Sequence, residues 1–102
     1  MSKDHLIKFG AIRTADIEID GQPYKVREPD ALVSNEMWKL YEKEGSASAN
    51  AYLAINCLFD LDNKRVFSDD DLDYVKKEIR PSLMTTIVNE VSKISEKDAA
   101  KN

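Results

Sequence analysis

The chain has 102 residues, of which 42% are hydrophobic and 33% are charged, so we expect one small domain with a strongly solvated surface. Its net charge of −4 and the lack of a basic run argue against binding to nucleic acid or to an anionic membrane. A lone cysteine excludes an intramolecular disulfide and favours a reducing compartment, and no apolar run approaches the ~20 residues of a membrane-spanning helix, which predicts a soluble protein.

The beginning of the chain is predicted to form an arm and a β-hairpin. Residues 1–14 would either dock as a short strand or remain a loose arm. Two segments, 15–20 and 24–28, alternate polar and apolar residues, as strands with one buried face do. The Asp20-Gly21 pair between them is typical of a tight hairpin turn. Because a lone hairpin is marginal in water, its apolar face should pack on helices. The arm carries the apolar residues Leu6, Ile7 and Phe9.

Two helices are predicted after the hairpin. The first would begin at a Ser34 cap and be stopped by Gly45. The second would cover about residues 47–60, with Ser46 or Ser48 as its cap. It is apolar around most of its circumference, which predicts a central position in a bundle or half of an interface.

Two further helices close the predicted domain. Ser68 followed by Asp69–Asp71 is typical of a helix start, with a hydroxyl cap and an acidic first turn. Pro81 is suited to the first turn of a last amphipathic helix, and residues 96–102 are predicted to be a disordered tail. The sequence thus predicts an α+β, mainly α fold. Residues 15–95 would be a single domain with an N-terminal β-hairpin packed on a small bundle of about four helices.

The titratable residues do not form a pattern that supports catalysis. The segment between Asp60 and Asp71 is spaced partly like a calcium loop, but Lys64 occupies a ligand position and Arg65 stands where that loop needs glycine. These two cations would more simply reach exposed carbonyls at a helix end. Cys57 is predicted to be a small buried hydrophobe. With one histidine far from it in sequence, no zinc site is predicted, and we expect no enzyme, cofactor or metal.

Two motifs resemble those of the small tail assembly chaperones of long-tailed bacteriophages. One is Val26-Arg27-Glu28 at the end of the hairpin, which matches a V-R-E strand in that family. The other is Phe59-Asp-Leu-Asp-Asn-Lys-Arg-Val-Phe67-Ser-Asp-Asp-Asp71, which is similar to the family's D-x-D-G-K-R-x-F-[ST]-D-E-D turn before a helix. Asn63 stands where glycine is usual, and asparagine also tolerates left-handed backbone. The similarity covers roughly residues 15–95.

The resemblance implies a non-catalytic protein that is absent from the finished virion. It would bind the tape measure protein in the host cytoplasm, keep it soluble and help tail tube subunits to polymerise around it. Family members are often made in a second, longer form by ribosomal frameshifting, and that form would reach the tail tube protein. The end of this sequence, Ala100-Lys101-Asn102, could be encoded with a slippery A-AAA-AAC heptamer.

The surface that would bind a partner is predicted from two aromatics of the first predicted helix and from the stripe of the last helix. Any one of these residues would equally serve as core, but so small a bundle cannot easily bury every apolar position, which favours a client or self-association. A rival hypothesis is a small acidic regulatory or adaptor protein that binds a host protein through Asp69–Asp71. The predicted partner-binding residues are Trp38, Tyr41, Leu83, Ile87, Val91 and Ile94.

Overall fold

The computed structural model describes the backbone of residues 2–101 and the side chains of residues 2–94. The described residues form five α-helices, one 3-10 turn and a three-stranded antiparallel sheet, which confirms an α+β, mainly α fold. None of the described helices combines the length and the apolar run that crossing a bilayer requires. The elements are α1 (Lys3–Phe9), β1 (Thr14–Ile19), β2 (Gln22–Arg27), α2 (Ala31–Glu44), α3 (Ser46–Cys57), β3 (Leu58–Phe59), the 3-10 turn (Asp69–Asp71), α4 (Leu72–Glu78) and α5 (Pro81–Lys101).

Strands β1 and β2 form the predicted hairpin. Asp20 and Gly21 occupy its turn with φ of 51° and 77°, which is the left-handed backbone that a two-residue hairpin loop requires. The apolar residues of both strands share the face that packs on the helices, as the alternating pattern predicts.

The sheet has a third strand that is not evident from the sequence. Leu58 and Phe59 pair with Val26 and Lys25 of β2, directly after the last turn of α3. We expected a helix to continue to about residue 60, and this expectation was wrong. The chain leaves the helix because its next two residues gain a strand partner that lies far away in the sequence.

Helix α2 begins earlier than predicted. Asp30, rather than Ser34, is the cap, and its Oδ1 accepts a hydrogen bond from the backbone N–H of Val33 at 2.8 Å. Asp30 follows Pro29, which ends the strand region, so the first cap available after the proline is used. The predicted stop at Gly45 is confirmed, since Gly45 has a φ of 97°.

Helix α3 lacks the predicted serine cap. Gly45 holds the cap position of α3 without a side-chain hydrogen bond, so neither Ser46 nor Ser48 has that role. Ser48 is buried instead, and its hydroxyl donates to Glu44 Oε1 at 3.1 Å. Gly45 therefore ends α2 and also starts α3, so no residue between the two helices is left to act as a side-chain cap.

The acidic helix start and the proline start are both confirmed. Asp71 Oδ2 accepts hydrogen bonds from the backbone N–H of Ser68 at 2.8 Å and from its hydroxyl at 3.2 Å. Pro81 is the first residue of α5, whose backbone is helical to Lys101. The predicted disordered tail, 96–102, begins beyond the last described side chain, and its last residue lies outside the described residues, so its disorder stays a prediction.

Helix α3 lies at the centre of the core. It packs against α2, α4 and α5, while α5 also lies against β1 and β2. In the predicted arm, residues 3–9 form the short helix α1, which has no buried residue. The core cluster consists of Val26, Ala51, Leu53, Ala54, Ile55, Cys57, Leu58, Val75, Ile87, Val91 and Ile94.

Candidate partner-binding surface

The outer side of α2 presents two aromatic side chains to solvent. Trp38 is 57% exposed and Tyr41 is 48% exposed. They lie one helical turn apart, and their ring centroids are 5.8 Å apart with an interplanar angle of 76°, which is an edge-to-face contact. The two rings thus form a contiguous, partly exposed aromatic patch on α2.

The structure divides the six predicted partner-binding residues. Ile87, Val91 and Ile94 are at most 5% exposed and belong to the core beneath the sheet. Leu83, one turn before Ile87, is half-buried and lines a groove at the hairpin end. Trp38 and Tyr41 lie on a different helix, so they are not brought together with the α5 residues. Of these six residues, only Trp38, Tyr41 and part of the Leu83 side chain are accessible to solvent.

Several other exposed apolar residues were not predicted to bind a partner. In α1, all three apolar side chains are about 60% exposed, and no described element packs extensively on this helix. Nothing in the sequence separates such residues from core residues, although their position in a short segment before the first strand is a weak signal. The large apolar residues that the structure leaves exposed, besides Trp38 and Tyr41, are Leu6, Ile7, Phe9, Ile12, Leu32, Leu61, Val66 and Tyr74.

An apolar groove lies between α3, α4 and α5. Its cavity measures about 150 Å³, which is the size of one or two side chains rather than of a cofactor. Lys76 borders it and is held by ion pairs to Glu44 at 3.4 Å and to Asp73 at 3.5 Å. The remaining lining residues are Ala47, Asn50, Ala51, Val75, Ile79, Pro81, Met84 and Thr85.

The acidic turn, Asp69–Asp71, takes part in local hydrogen bonds. Arg65 donates from Nε to the carbonyl of Ile55 at 2.7 Å and from Nη2 to Asp69 at 2.8 Å. The Ile55 carbonyl lies in the last turn of α3, so Arg65 caps that helix end as predicted. Asp71 is bonded to Ser68. Asp69 and Asp71 thus help to hold the turn together, while the Asp69 side chain remains 80% exposed.

Asn63 adopts the left-handed backbone that its place in the motif requires. Its φ is 64°, and its N–H donates to the Asp60 carbonyl at 3.1 Å. The Asp60 side chain accepts from the N–H groups of Asp62 and Lys64 at 2.8 and 3.0 Å. This side chain is thus used to shape the turn. In the part of the chain that the structure describes, no group of three His, Cys, Asp or Glu side chains could hold a metal ion.

Cys57 is buried, as predicted. It is 1% exposed, and burial raises the pKa of its thiol to about 12, with a smaller contribution from the carboxylate of Asp30. A thiol with so high a pKa remains protonated at neutral pH and is a poor nucleophile. Cys57 therefore acts as a small apolar core residue.

A solved structure shares the architecture of this chain. No protein-family model and no curated protein matches this sequence. Among solved structures, the tail assembly chaperone of bacteriophage HK97 is similar with a TM-score of 0.70 and 20% sequence identity, over 87% of this chain and 94% of that chain. The chain therefore has the fold of the HK97 tail assembly chaperone, as the motif resemblance predicted.

Proposed function

We propose that this chain is a bacteriophage tail assembly chaperone. The observation that carries the proposal is the shared fold, which extends over 94% of the HK97 protein at 20% identity. The motifs that suggested the family from the sequence, a V-R-E strand end and a K-R-x-F-S-D turn, occupy a strand and a helix start in this fold. Two independent lines of reasoning, one from motifs and one from architecture, thus lead to the same class of protein.

In this role the chain binds the tape measure protein in the host cytoplasm, keeps it soluble and promotes assembly of the tail tube. It makes or breaks no covalent bond and is absent from the mature virion. A longer frameshifted form would bring in the tail tube protein, and copies of the chain would self-associate on the client. These partners are those that the family resemblance implies.

The contact that we assign to the tape measure protein is the Trp38–Tyr41 patch. Exposed aromatics of this kind stabilise complexes through apolar burial at a small conformational cost. Charged residues around the patch, including the exposed Lys39–Glu36 ion pair at 3.4 Å, limit aggregation of the free chaperone. The α5 residues Ile87, Val91 and Ile94 would take part only if the helix moved away from the sheet.

The proposal is tested by co-expressing the chain with the tape measure protein of the same phage. We expect the tape measure protein to become soluble and to co-purify with the chain. Trp38→Ala combined with Tyr41→Ala should return it to the insoluble fraction. Leu32→Ala is the matched control, because Leu32 is 78% exposed on the same helix but lies about 120° from Trp38 around the helix axis.

Two outcomes separate the parts of this proposal. If the wild-type chain leaves the solubility of the tape measure protein unchanged, the function is wrong. If the wild-type chain is effective but the Trp38/Tyr41 variant is equally effective, the function stands and the assigned contact is wrong. Circular dichroism of each variant establishes that a lost effect does not come from unfolding.

A further inference from the structure

Strand β1 is an uncovered edge of the sheet. The strand order is β1-β2-β3, so one side of β1 has no neighbouring strand. The register of the hairpin and the hydrogen bond from Glu28 N to Arg13 O at 2.9 Å place residues 13, 15, 17 and 19 in the pairs that bond to β2. The N–H and C=O groups of Thr14, Asp16 and Glu18 therefore point to the open side.

Nothing in the described part of the chain occupies these backbone groups. No hydrogen bond joins the backbone of Thr14, Asp16 or Glu18 to another described residue. Their side chains are exposed, and the helix that packs on the sheet, α5, lies on its inner face. Unpaired groups at an edge strand are a template on which an extended chain can add another strand.

The side chains along this edge specify the charge of the added strand. Asp16 and Glu18 lie on the outer face of β1, and Asp20 follows at the turn. In an antiparallel pair of two copies centred on Asp16, the two Asp16 carboxylates would stand opposite each other, which is destabilising. Lysine or arginine opposite Asp16 and Glu18 would form favourable cross-strand pairs. The edge therefore disfavours a second copy and favours a basic strand.

The inner face of the same edge specifies apolar residues between the basic ones. Ile17 and Ile19 are only half-buried and face the helices. An open groove of about 530 Å³ at the hairpin end joins Ile19 to Leu83 of α5, and its other lining residues are polar, among them Glu18, Arg80 and Thr86. Because successive residues of a strand alternate faces, a residue between two basic positions would point to this side and extend the apolar layer.

We propose that the β1 edge binds an extended client segment in which basic and apolar residues alternate. The segment adds as a fourth strand, its basic side chains contact Asp16 and Glu18, and its apolar side chains contact Ile17, Ile19 and Leu83. This site differs from the Trp38–Tyr41 patch in position and in chemistry, so it does not depend on which client the aromatic patch binds.

Binding is measured by fluorescence anisotropy with a labelled heptapeptide in which lysine alternates with valine. A peptide of the same composition with its lysines and valines grouped, and one with glutamate in place of lysine, should bind much more weakly. Asp16→Asn combined with Glu18→Gln should weaken the lysine–valine peptide by about five- to tenfold. Glu42→Gln, an exposed acidic residue on α2, is the control and should leave binding unchanged.

Backbone methylation of the peptide tests strand addition directly without altering the protein. Methyl groups on one alternate set of peptide nitrogens remove the hydrogen bonds to β1, while methyl groups on the other set do not. We expect one set to abolish binding and the other to leave it within about twofold. Equal effects of both sets, or no preference for the alternating peptide over the grouped one, would overturn the proposal. So would a dimer of the free wild-type chain that the lysine–valine peptide dissociates, because the edge would then belong to a second copy.

Discussion

Helices α2 and α3 are neighbours in sequence, yet they are buried very differently. Helix α3 has seven buried residues, whereas α2 has none. Both carry large apolar side chains, and they share Gly45 as the boundary between them. The difference comes from their positions, because α3 contacts three other helices, while α2 packs mainly on α3.

This comparison separates the residues that stabilise the fold from those that we propose to bind a partner. The buried face of α3 holds the domain together, and the outer face of α2 is exposed. Substitutions in the two helices should therefore affect different properties. Those in the buried face of α3 should reduce stability, and those on the outer face of α2 should reduce partner binding. The following predictions address this separation, beginning with the largest expected change in stability.

Ile55→Ala should remove the largest share of stability. Ile55 is 1% exposed and lies at the centre of the core cluster, so truncation leaves a cavity. We expect the free energy of unfolding to fall by about 2–5 kcal/mol, as measured by urea denaturation. Leu32→Ala on α2 should change it by no more than about 0.5 kcal/mol. Similar losses in the two variants would contradict the proposed separation.

Gly45→Ala should destabilise the junction of the two helices. Gly45 has φ of 97° and ψ of −175°, a region that residues with a Cβ rarely adopt. No atom lies within 4 Å of a Cβ built there, so the cost would come from backbone strain. We expect a loss of about 1–3 kcal/mol in thermal or urea unfolding. Ser46→Ala is the neighbouring control, and an equal loss in both variants would place the cost elsewhere.

Stability should decrease in alkali because of Cys57. Burial raises the pKa of its thiol to about 12, while an unfolded thiol ionises near about 8.5. The neutral thiol thus stabilises the fold fully below the unfolded pKa, and this contribution is lost as the pH rises towards the folded pKa. We expect a loss of about 1 kcal/mol at about pH 9.5 relative to neutral pH.

Cys57→Ala tests the origin of that pH dependence. The variant should be less stable at neutral pH because of its cavity, but its stability should lack the alkaline decrease that the thiol causes, so the two proteins should converge as the pH rises. Native wild-type protein should also react with a thiol reagent only at the rate of its opening. Rapid labelling of the folded protein would show that α3 is not closed around Cys57.

Trp38→Ala should reduce stability far less than Ile55→Ala although it deletes a larger side chain. Trp38 is 57% exposed and its described ring contact is with Tyr41, so we expect a loss of no more than about 1 kcal/mol. The same variant should lose client solubilisation in the co-expression assay. A loss of several kcal/mol would mean that α2 holds the fold together as α3 does, and the separation would fail.

Local signals in the sequence predicted several elements correctly. The Asp20-Gly21 turn, the Ser68–Asp71 helix start and Pro81 at the beginning of α5 were all recognisable, because each depends on residues within a few positions of one another. The Ser34 cap was wrong although serine is a good cap, since Asp30 was equally suitable and came first. Several residues of the sequence can thus serve as helix caps, and the tertiary packing of the helix determines which of them does.

The candidate site was harder to predict than the fold. Trp38 and Ile87 are both apolar residues on amphipathic helices, and no local pattern shows that the first is exposed and the second 1% exposed. The sequence also did not predict that β1 is an edge strand. Its edge position depends on β3, which pairs with the other side of β2.

The sequence by itself determined the fold class, the hairpin, the helix starts at Ser68 and Pro81, and the apolar character of α3. Turn conformation and helix capping are interactions across a few residues, so they can be recognised in the sequence. Only the tertiary structure decided that Leu58 and Phe59 pair with β2, that the α5 stripe is covered by the sheet, and that Trp38 and Tyr41 remain open. Those outcomes depend on contacts between residues far apart in the chain, where long-range packing overrides local preference.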